Sequence, residues 1–326
     1  MEQQRIFLTG GSGFVGRHFI PFFRKNGYKV FAIVRSNAAA AVVRELGAYA
    51  VPGNLYNHTA LKNTMALCDY VVHAAAHFRF WGDPKDFYTI NVEGTRAMLD
   101  AAAESDIKKF IYISAASVIN GKAIEDVDET YLPHKMPTDL YSETKYQAEL
   151  AVLRANSADL RTMALRPPFV WGSENPHADM IRDALEKDRF RWINGGRHAL
   201  STCHVDNLAA AVLAAIQNGP GGEVYYITDG ERRTFKDFFS EYARTQGFEL
   251  GNKSLPRWLL LLAARATKLW WEKRRLKGEP PLLPVMVHLL GTNMTVSDQK
   301  ARQELNYENV LTIDEGFKQL HDPQFN

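Results

Sequence analysis

An apolar run at residues 5–8 passes straight into Thr9-Gly10-Gly11-Ser12-Gly13-Phe14-Val15-Gly16, and a helical apolar period follows over 15–26. Gly10, Gly13 and Gly16 have a spacing with a physical use. The first allows a tight turn, the second lets main chain approach a pyrophosphate, and the third lets helix and strand pack closely. The helix start then offers free N–H groups and the positive end of its dipole to an anion. The competing reading is a glycine-rich turn that holds nothing.

The pattern repeats. Short β-branched runs at 29–34, 49–52, 70–73, 109–114 and 161–165 alternate with helical periods over 38–46, 59–66, 86–105 and 141–155. Such alternation implies βαβ units and a doubly wound, Rossmann-type parallel sheet, which binds ligands at the carboxyl ends of its strands. The later chain is less regular: helices are expected over 177–187, 205–217 and 234–246, a strand over 225–228, and a Trp-rich helix and a last helix near Ser297 after Pro256. Phe235, Phe238, Phe239 and Tyr242 form a stripe read as core. The expected division is a dinucleotide-binding unit at 1–172, with 201–220 returning to it, and a smaller, mostly helical substrate region at 173–200 and 221–326.

Composition excludes several classes. The net charge is +2 and no basic tract dominates the 326 residues, so nucleic acid is not an expected partner. Cys68 and Cys203 have neither metal-ligand spacing nor a disulfide framework, and His73, His77 and His204 are scattered, so no metal is expected. The N-terminus lacks the pattern of a secretory signal, and a cytoplasmic enzyme is expected. The apolar stretch 258–264 is too short to span a bilayer, which takes about 20 residues. With Arg265, Lys268, Trp270 and Trp271 it reads either as a helix packed on its own domain or as one in peripheral contact with a membrane. Asp126, Asp128 and Glu129 read as a solvated loop; Arg189 and Arg191 read as a solvated turn, or as binders of an anionic group.

Two further features carry chemistry. The second strand ends in Val34-Arg35-Ser36, with no acid to accept from a ribose 2′-hydroxyl. A guanidinium there can pair with a 2′-phosphate, so NADP is expected over NAD, unless Arg35 simply points into water. Tyr141 and Lys145 lie four residues apart at the start of a helix, on one face. An ammonium beside a phenol stabilises the phenolate and lowers a pKa otherwise near 10, fitting the pair for general acid/base work at a ketone oxygen.

Together with Gly53-Asn54-Leu55, Asp69-Tyr70-Val71-Val72-His73-Ala74-Ala75-Ala76, Asn91-Val92-Glu93-Gly94-Thr95, Arg166-Pro167-Pro168-Phe169-Val170-Trp171-Gly172 and His204-Val205-Asp206-Asn207, these motifs resemble the extended short-chain dehydrogenase/reductases. The segments Trp81-Gly82, Asp86-Phe87-Tyr88 and Arg275–Leu282 look most like the 3β-hydroxysteroid dehydrogenase branch, which includes 2-alkyl-3-oxoalkanoate reductases. The resemblance implies that Phe14 and Val15 touch the pyrophosphate, Asn54 and Leu55 border the adenine, and Ala74, Ala75 and Ala76 line the cofactor. It also implies that Asn91 braces the active-site helices and that Pro168 and Val170 border the nicotinamide. His77, Phe78 and Trp81 either contact substrate or pack as a lid. Where the family usually carries a Ser or Thr that binds the substrate oxygen, this chain has Ala115; Ser117, or a displaced Ser114, is the expected substitute if the strand stays extended. The activity implied is hydride transfer between NADP(H) and a secondary alcohol or ketone on a fairly apolar substrate, in a homodimer formed through helices 86–105 and 141–155. The rivals are a nucleotide-sugar epimerase or dehydratase and a weakly catalytic, NADP-binding regulatory protein.

Overall fold

A computed structural model describes residues 3–119, 123–131, 137 and 139–321. Seven parallel strands form the central sheet. The strands β1 (Arg5–Thr9), β2 (Lys29–Val34), β3 (Tyr49–Pro52), β4 (Tyr70–His73) and β5 (Lys109–Ile113) are joined by Arg161–Arg166 and Glu223–Tyr226. The spatial order is β3, β2, β1, β4, β5, Arg161–Arg166, Glu223–Tyr226, so the winding direction reverses between β1 and β4. That reversal opens a crevice at the strands' carboxyl ends.

Alternation along the strands builds the two layers. Ile6 and Leu8 of β1 face α1 (Phe14–Lys25), α2 (Asn37–Glu45) and the helix Val205–Asn218, packing with Phe19, Phe23, Val43 and Val212. Phe7 faces the other way, toward α3 (His58–Met65), Gly94–Ala103 and Leu140–Arg154, among Met65, Met98 and Val152. Burial on both faces explains why the inner strands β1, β4 and β5 read as continuous apolar runs.

Two expectations need correction. The helix read over 86–105 is three pieces: Pro84–Phe87, a π-helical turn Tyr88–Glu93, and Gly94–Ala103. Asn91 lies within that wider winding, which a 3.6-residue period does not reveal. The strand read over 225–228 runs from Glu223 to Tyr226 and pairs with Arg161–Arg166 as an edge of the central sheet. It therefore belongs to the central sheet, although the sequence division grouped it with the later helical chain.

A second sheet lies beyond the crevice. Ala199–His204 pairs with Phe169–Trp171 and Met294–Val296 in parallel and with Arg232–Thr234 antiparallel; Met294–Val296 also pairs with Ile124–Val127. Asp229 binds it to the helix that follows. Its carboxylate accepts from the Trp171 indole (2.7 Å), the Thr202 hydroxyl (2.7 Å), the His204 main chain (2.6 Å) and the Asn207 amide (2.8 Å). Phe238, Phe239 and Tyr242 join Trp171 and Trp192 in a buried cluster, the core role expected of the aromatic stripe.

Candidate active site

The glycine turn is fixed by contacts that only glycine permits. Gly10 has φ +75°, and the Gly13 N–H donates to its carbonyl oxygen at 3.0 Å. A Cβ on Gly16 would lie 2.2 Å from that same oxygen, so the helix could not sit so near the turn with any side chain there. Gly13 caps α1 without a side-chain hydrogen bond, and the first turn holds no acid. The free N–H groups and an unopposed positive dipole end fit a pyrophosphate. Phe14 and Val15 are half-buried in this first turn.

A buried hydrogen-bond chain ties this turn to the helix carrying Tyr141. The Ala75 N–H donates to Thr9 Oγ1 (3.0 Å), and Thr9 Oγ1 lies 2.7 Å from His73 Nδ1. On the other side of the ring, His73 Nε2 lies 3.0 Å from Thr95 Oγ1, whose hydroxyl donates to the Asn91 carbonyl at 2.6 Å. Thr95 spends its proton on Asn91, so His73 must donate from Nε2 and accept at Nδ1. Burial, with the Lys145 charge a lesser cause, pushes the imidazole pKa down to about 3, so His73 stays neutral. Asn91 carries the chain onward: its amide donates to Thr144 Oγ1 (3.0 Å) and its side-chain oxygen accepts the His77 N–H (2.7 Å). The Thr144 hydroxyl closes on the Leu140 carbonyl at 2.6 Å, one turn back in the helix.

That helix, Leu140–Arg154, is capped by Asp139, which accepts from the Ser142 N–H at 2.9 Å. Tyr141 is half-buried with its ring edge-on to Phe78, centroids 4.8 Å apart. Lys145 is buried. Its Nζ donates to the Ile113 carbonyl at 2.5 Å and lies 4.1 Å from the centroid of the Tyr112 ring. Burial pushes its pKa down to about 7, against the raising effect of the Glu149 carboxylate. The expected acidification of Tyr141 is not what this arrangement has. Burial raises the phenol above its ordinary value and the Asp139 charge adds to the rise. The physical reason is that desolvation disfavours both charged forms at once, leaving a phenol that holds its proton.

The two candidate serines part company. Ser114 is buried and its hydroxyl donates to Glu149 Oε2 at 2.6 Å, so it belongs to an internal ion-pair network and not to the cleft. Glu149 also accepts from Arg166 Nε at 2.9 Å and Nη2 at 2.5 Å. The extended geometry assumed for Ser117 is absent, because β5 ends at Ile113 and the chain turns into a 3₁₀ helix, Ala116–Ile119. The turn brings Ser117 Oγ to 3.0 Å from the Ser142 hydroxyl at the head of the tyrosine helix, and Ser117 and Ala115 are both half-buried.

The remaining sequence-predicted residues follow the carboxyl ends of β2, β3, β4 and Arg161–Arg166. Arg35 is exposed at the carboxyl end of β2, next to Ser36, which caps α2. Asn54 is exposed and folds back on the Tyr56 N–H at 2.8 Å, while Leu55 is half-buried. Ala74 and Ala75 back onto Gly10, with Ala76 exposed. His77 packs edge-on to Phe87, Phe78 is 44% exposed beside Tyr141, and Trp81 is half-buried. Pro168 and Val170 are half-buried on the chain that enters the second sheet.

The profile of the 3-beta hydroxysteroid dehydrogenase/isomerase family matches residues 7–257. The chain belongs to this family. A 4-hydroxy-2-methyl-3-oxo-4-farnesyl-3,4-dihydroquinoline-1-oxide ketoreductase of Stigmatella aurantiaca is 37% identical over 97% of this chain and 95% of its own. A decarboxylating sterol-4-alpha-carboxylate 3-dehydrogenase of Dictyostelium discoideum is 30% identical over 97% of this chain and 100% of its own. UDP-glucuronic acid 4-epimerase from Bacillus cereus, solved in complex with NAD, superposes with a TM-score of 0.73 at 20% identity, over 98% of this chain and 100% of that one. That likeness concerns the fold alone. This member of the 3-beta hydroxysteroid dehydrogenase/isomerase family is thus an NAD(P)-dependent oxidoreductase of the extended short-chain type, interconverting an alcohol and a ketone.

Sequence reasoning missed Glu149 and the bridging part of His73. Glu149 stands four residues beyond Lys145, the same helical interval that singled out Tyr141 and Lys145, so that signal was present. Nothing local marks His73 as a link between Thr9 and Thr95, which lie 64 positions before and 22 after it.

Proposed function

We propose that the enzyme reduces the ketone of a fairly apolar substrate with NADPH, and that Tyr141 is the proton donor. The observation that carries this is a half-buried phenol beside Phe78, on a helix bonded through Thr144, Asn91, Thr95, His73 and Thr9 to the glycine turn. The uncapped start of α1 and the turn at Gly10–Gly16 fit a dinucleotide, with Ala74–Ala76, Asn54, Leu55, Pro168 and Val170 bordering it. When bound, the nicotinamide supplies the hydride. Tyr141, whose burial keeps its proton on the oxygen, donates that proton as charge develops on the ketone oxygen. Lys145 stabilises the resulting phenolate once its ammonium turns from the Ile113 carbonyl. Ser117, beside the Ser142 hydroxyl, takes over the oxygen-binding work for which Ala115 has no hydroxyl.

Arg35, exposed at the end of β2, favours NADP by pairing with the 2′-phosphate. Phe78, with His77 and Trp81, offers the apolar wall that supports an apolar ketone over a nucleotide sugar. Residues 173–200 and the chain after Tyr226 serve as the substrate region, and two copies pair through Gly94–Ala103 and Leu140–Arg154.

The test is a turnover panel of steroid, aromatic and 3-oxoacyl ketones against UDP-sugars, each with NADPH and NADH. Consumption of NADPH by at least one apolar ketone is expected. Turnover of UDP-sugars alone would replace this reading with the epimerase one.

A further inference from the structure

The helix Arg257–Arg274 has two apolar faces and only one is covered. With 3.6 residues per turn, Leu260, Leu261 and Ala264 fall on one side and pack against Ile193, Leu282 and Val287. The opposite side carries Trp258, Leu259, Leu262, Leu269 and Trp270. Trp258 is 64% exposed, Leu262 54%, Leu269 66% and Trp270 54%. From 258 to 270 this face is about 18 Å long at 1.5 Å per residue. A surface helix of a globular domain ordinarily turns charged and polar residues outward, and a continuous apolar face marks a contact surface. Among the described residues no helix is long and apolar enough to cross a membrane, so the face is not part of a span.

The charge around the face selects its occupant. Seven basic and two acidic residues lie between 257 and 279, a net +5, in a chain whose total is +2, so the rest of the molecule carries a net −3. Arg265, Lys268, Lys273, Arg274, Arg275 and Lys277 are all exposed and flank or follow the apolar face. A second copy docked face to face would oppose one +5 segment with another, a like-charge arrangement that works against pairing. An anionic lipid surface answers both features. Trp and Leu side chains enter the boundary between headgroups and acyl chains, and each basic residue close to the surface adds about 1 kcal/mol of attraction.

We propose that the face Trp258–Trp270 docks this enzyme on an anionic bilayer, lying in the interface without crossing it. Docking needs neither cofactor nor substrate, so its test stands apart from that of the catalytic reading. The full chain, without ligands, is floated with vesicles of phosphatidylcholine containing roughly one-third phosphatidylglycerol, and with vesicles of phosphatidylcholine alone. The chain should float with the anionic vesicles, and raised salt should release it. Two variants follow: the triple substitution Trp258→Ser, Leu269→Ser, Trp270→Ser, and the double substitution Lys273→Glu, Lys277→Glu. Both change exposed residues, so thermal melting should match the natural chain, and each should lower vesicle partitioning about tenfold or more. No flotation with anionic vesicles, or equal flotation of both variants and the natural chain, overturns the proposal. So does concentration-dependent self-association in sedimentation that the triple substitution abolishes, which would assign the face to a second copy.

Discussion

Glu149→Gln should damage both stability and the pH response of the enzyme. Glu149 is fully buried and takes three hydrogen bonds, two from Arg166 (2.9 and 2.5 Å) and one from Ser114 (2.6 Å). Glutamine keeps the shape but removes the charge, and turns an NH₂ group toward donors. Arg166 is only 6% exposed, so its guanidinium would stay in the interior without a counter-charge. Breaking such a pair costs about 3–5 kcal/mol, against a total stability of about 5–15 kcal/mol for a native protein. Urea unfolding followed by fluorescence should show a clearly lower midpoint. The double variant Glu149→Leu, Arg166→Met should recover much of it, because neither charge then has to be desolvated. The same carboxylate raises the Lys145 pKa, which lies near 7. If the ammonium form is the active one, ketone reduction loses rate as pH rises through about 7, and the kcat/KM profile of the free enzyme shows that falling limb. In Glu149→Gln the limb should move to lower pH. An unchanged urea midpoint, a double variant as unstable as the single, or an unmoved limb would each refute the reasoning.

Arg35→Ser should lower NADPH affinity about tenfold to hundredfold, the worth of a charge-assisted hydrogen bond, and leave NADH affinity nearly unchanged; fluorescence titration with both nucleotides reads the difference. Ser117→Ala should reduce kcat for ketone reduction by about 10²–10³ with little change in unfolding temperature, whereas Ser114→Ala should lower stability first. His73 is neutral when folded, with a pKa near 3 against an unfolded value near 6.5, so the unfolded state binds the extra proton as pH falls. Its contribution to stability should drop by about 1.4 kcal/mol per pH unit between about 6.5 and 3, and urea midpoints of His73→Asn across that window should show a shallower acid slope.

The central sheet was legible because its inner strands bury both faces and read as unbroken apolar runs. β2, β3 and β4 have the expected bounds, and the glycine turn has the expected geometry. The second sheet was not, for physical reasons. Met294–Val296 and Ile124–Val127 are three and four residues long and meet across a separation that no local period encodes. Ala199–His204 carries buried Ser201, Thr202 and His204, polar residues made tolerable by partners such as Asp229 and the Val296 main chain. At the site, spacing found Tyr141 and Lys145 on one helix. What it left out was solvent. Desolvation decides that the phenol keeps its proton and that the lysine pKa falls, and burial depends on Tyr112, Ile113 and Phe78 from elsewhere in the chain. Ser114 shows the same gap, since only the folded positions of Glu149 and Arg166 show where its hydroxyl goes.

The most direct measurement is the Tyr141→Phe variant, assayed for NADPH binding and for ketone reduction side by side. If this phenol delivers the proton, nucleotide affinity stays at the natural level and kcat falls by about 10²–10⁴. Undiminished turnover in the phenylalanine variant would contradict the account.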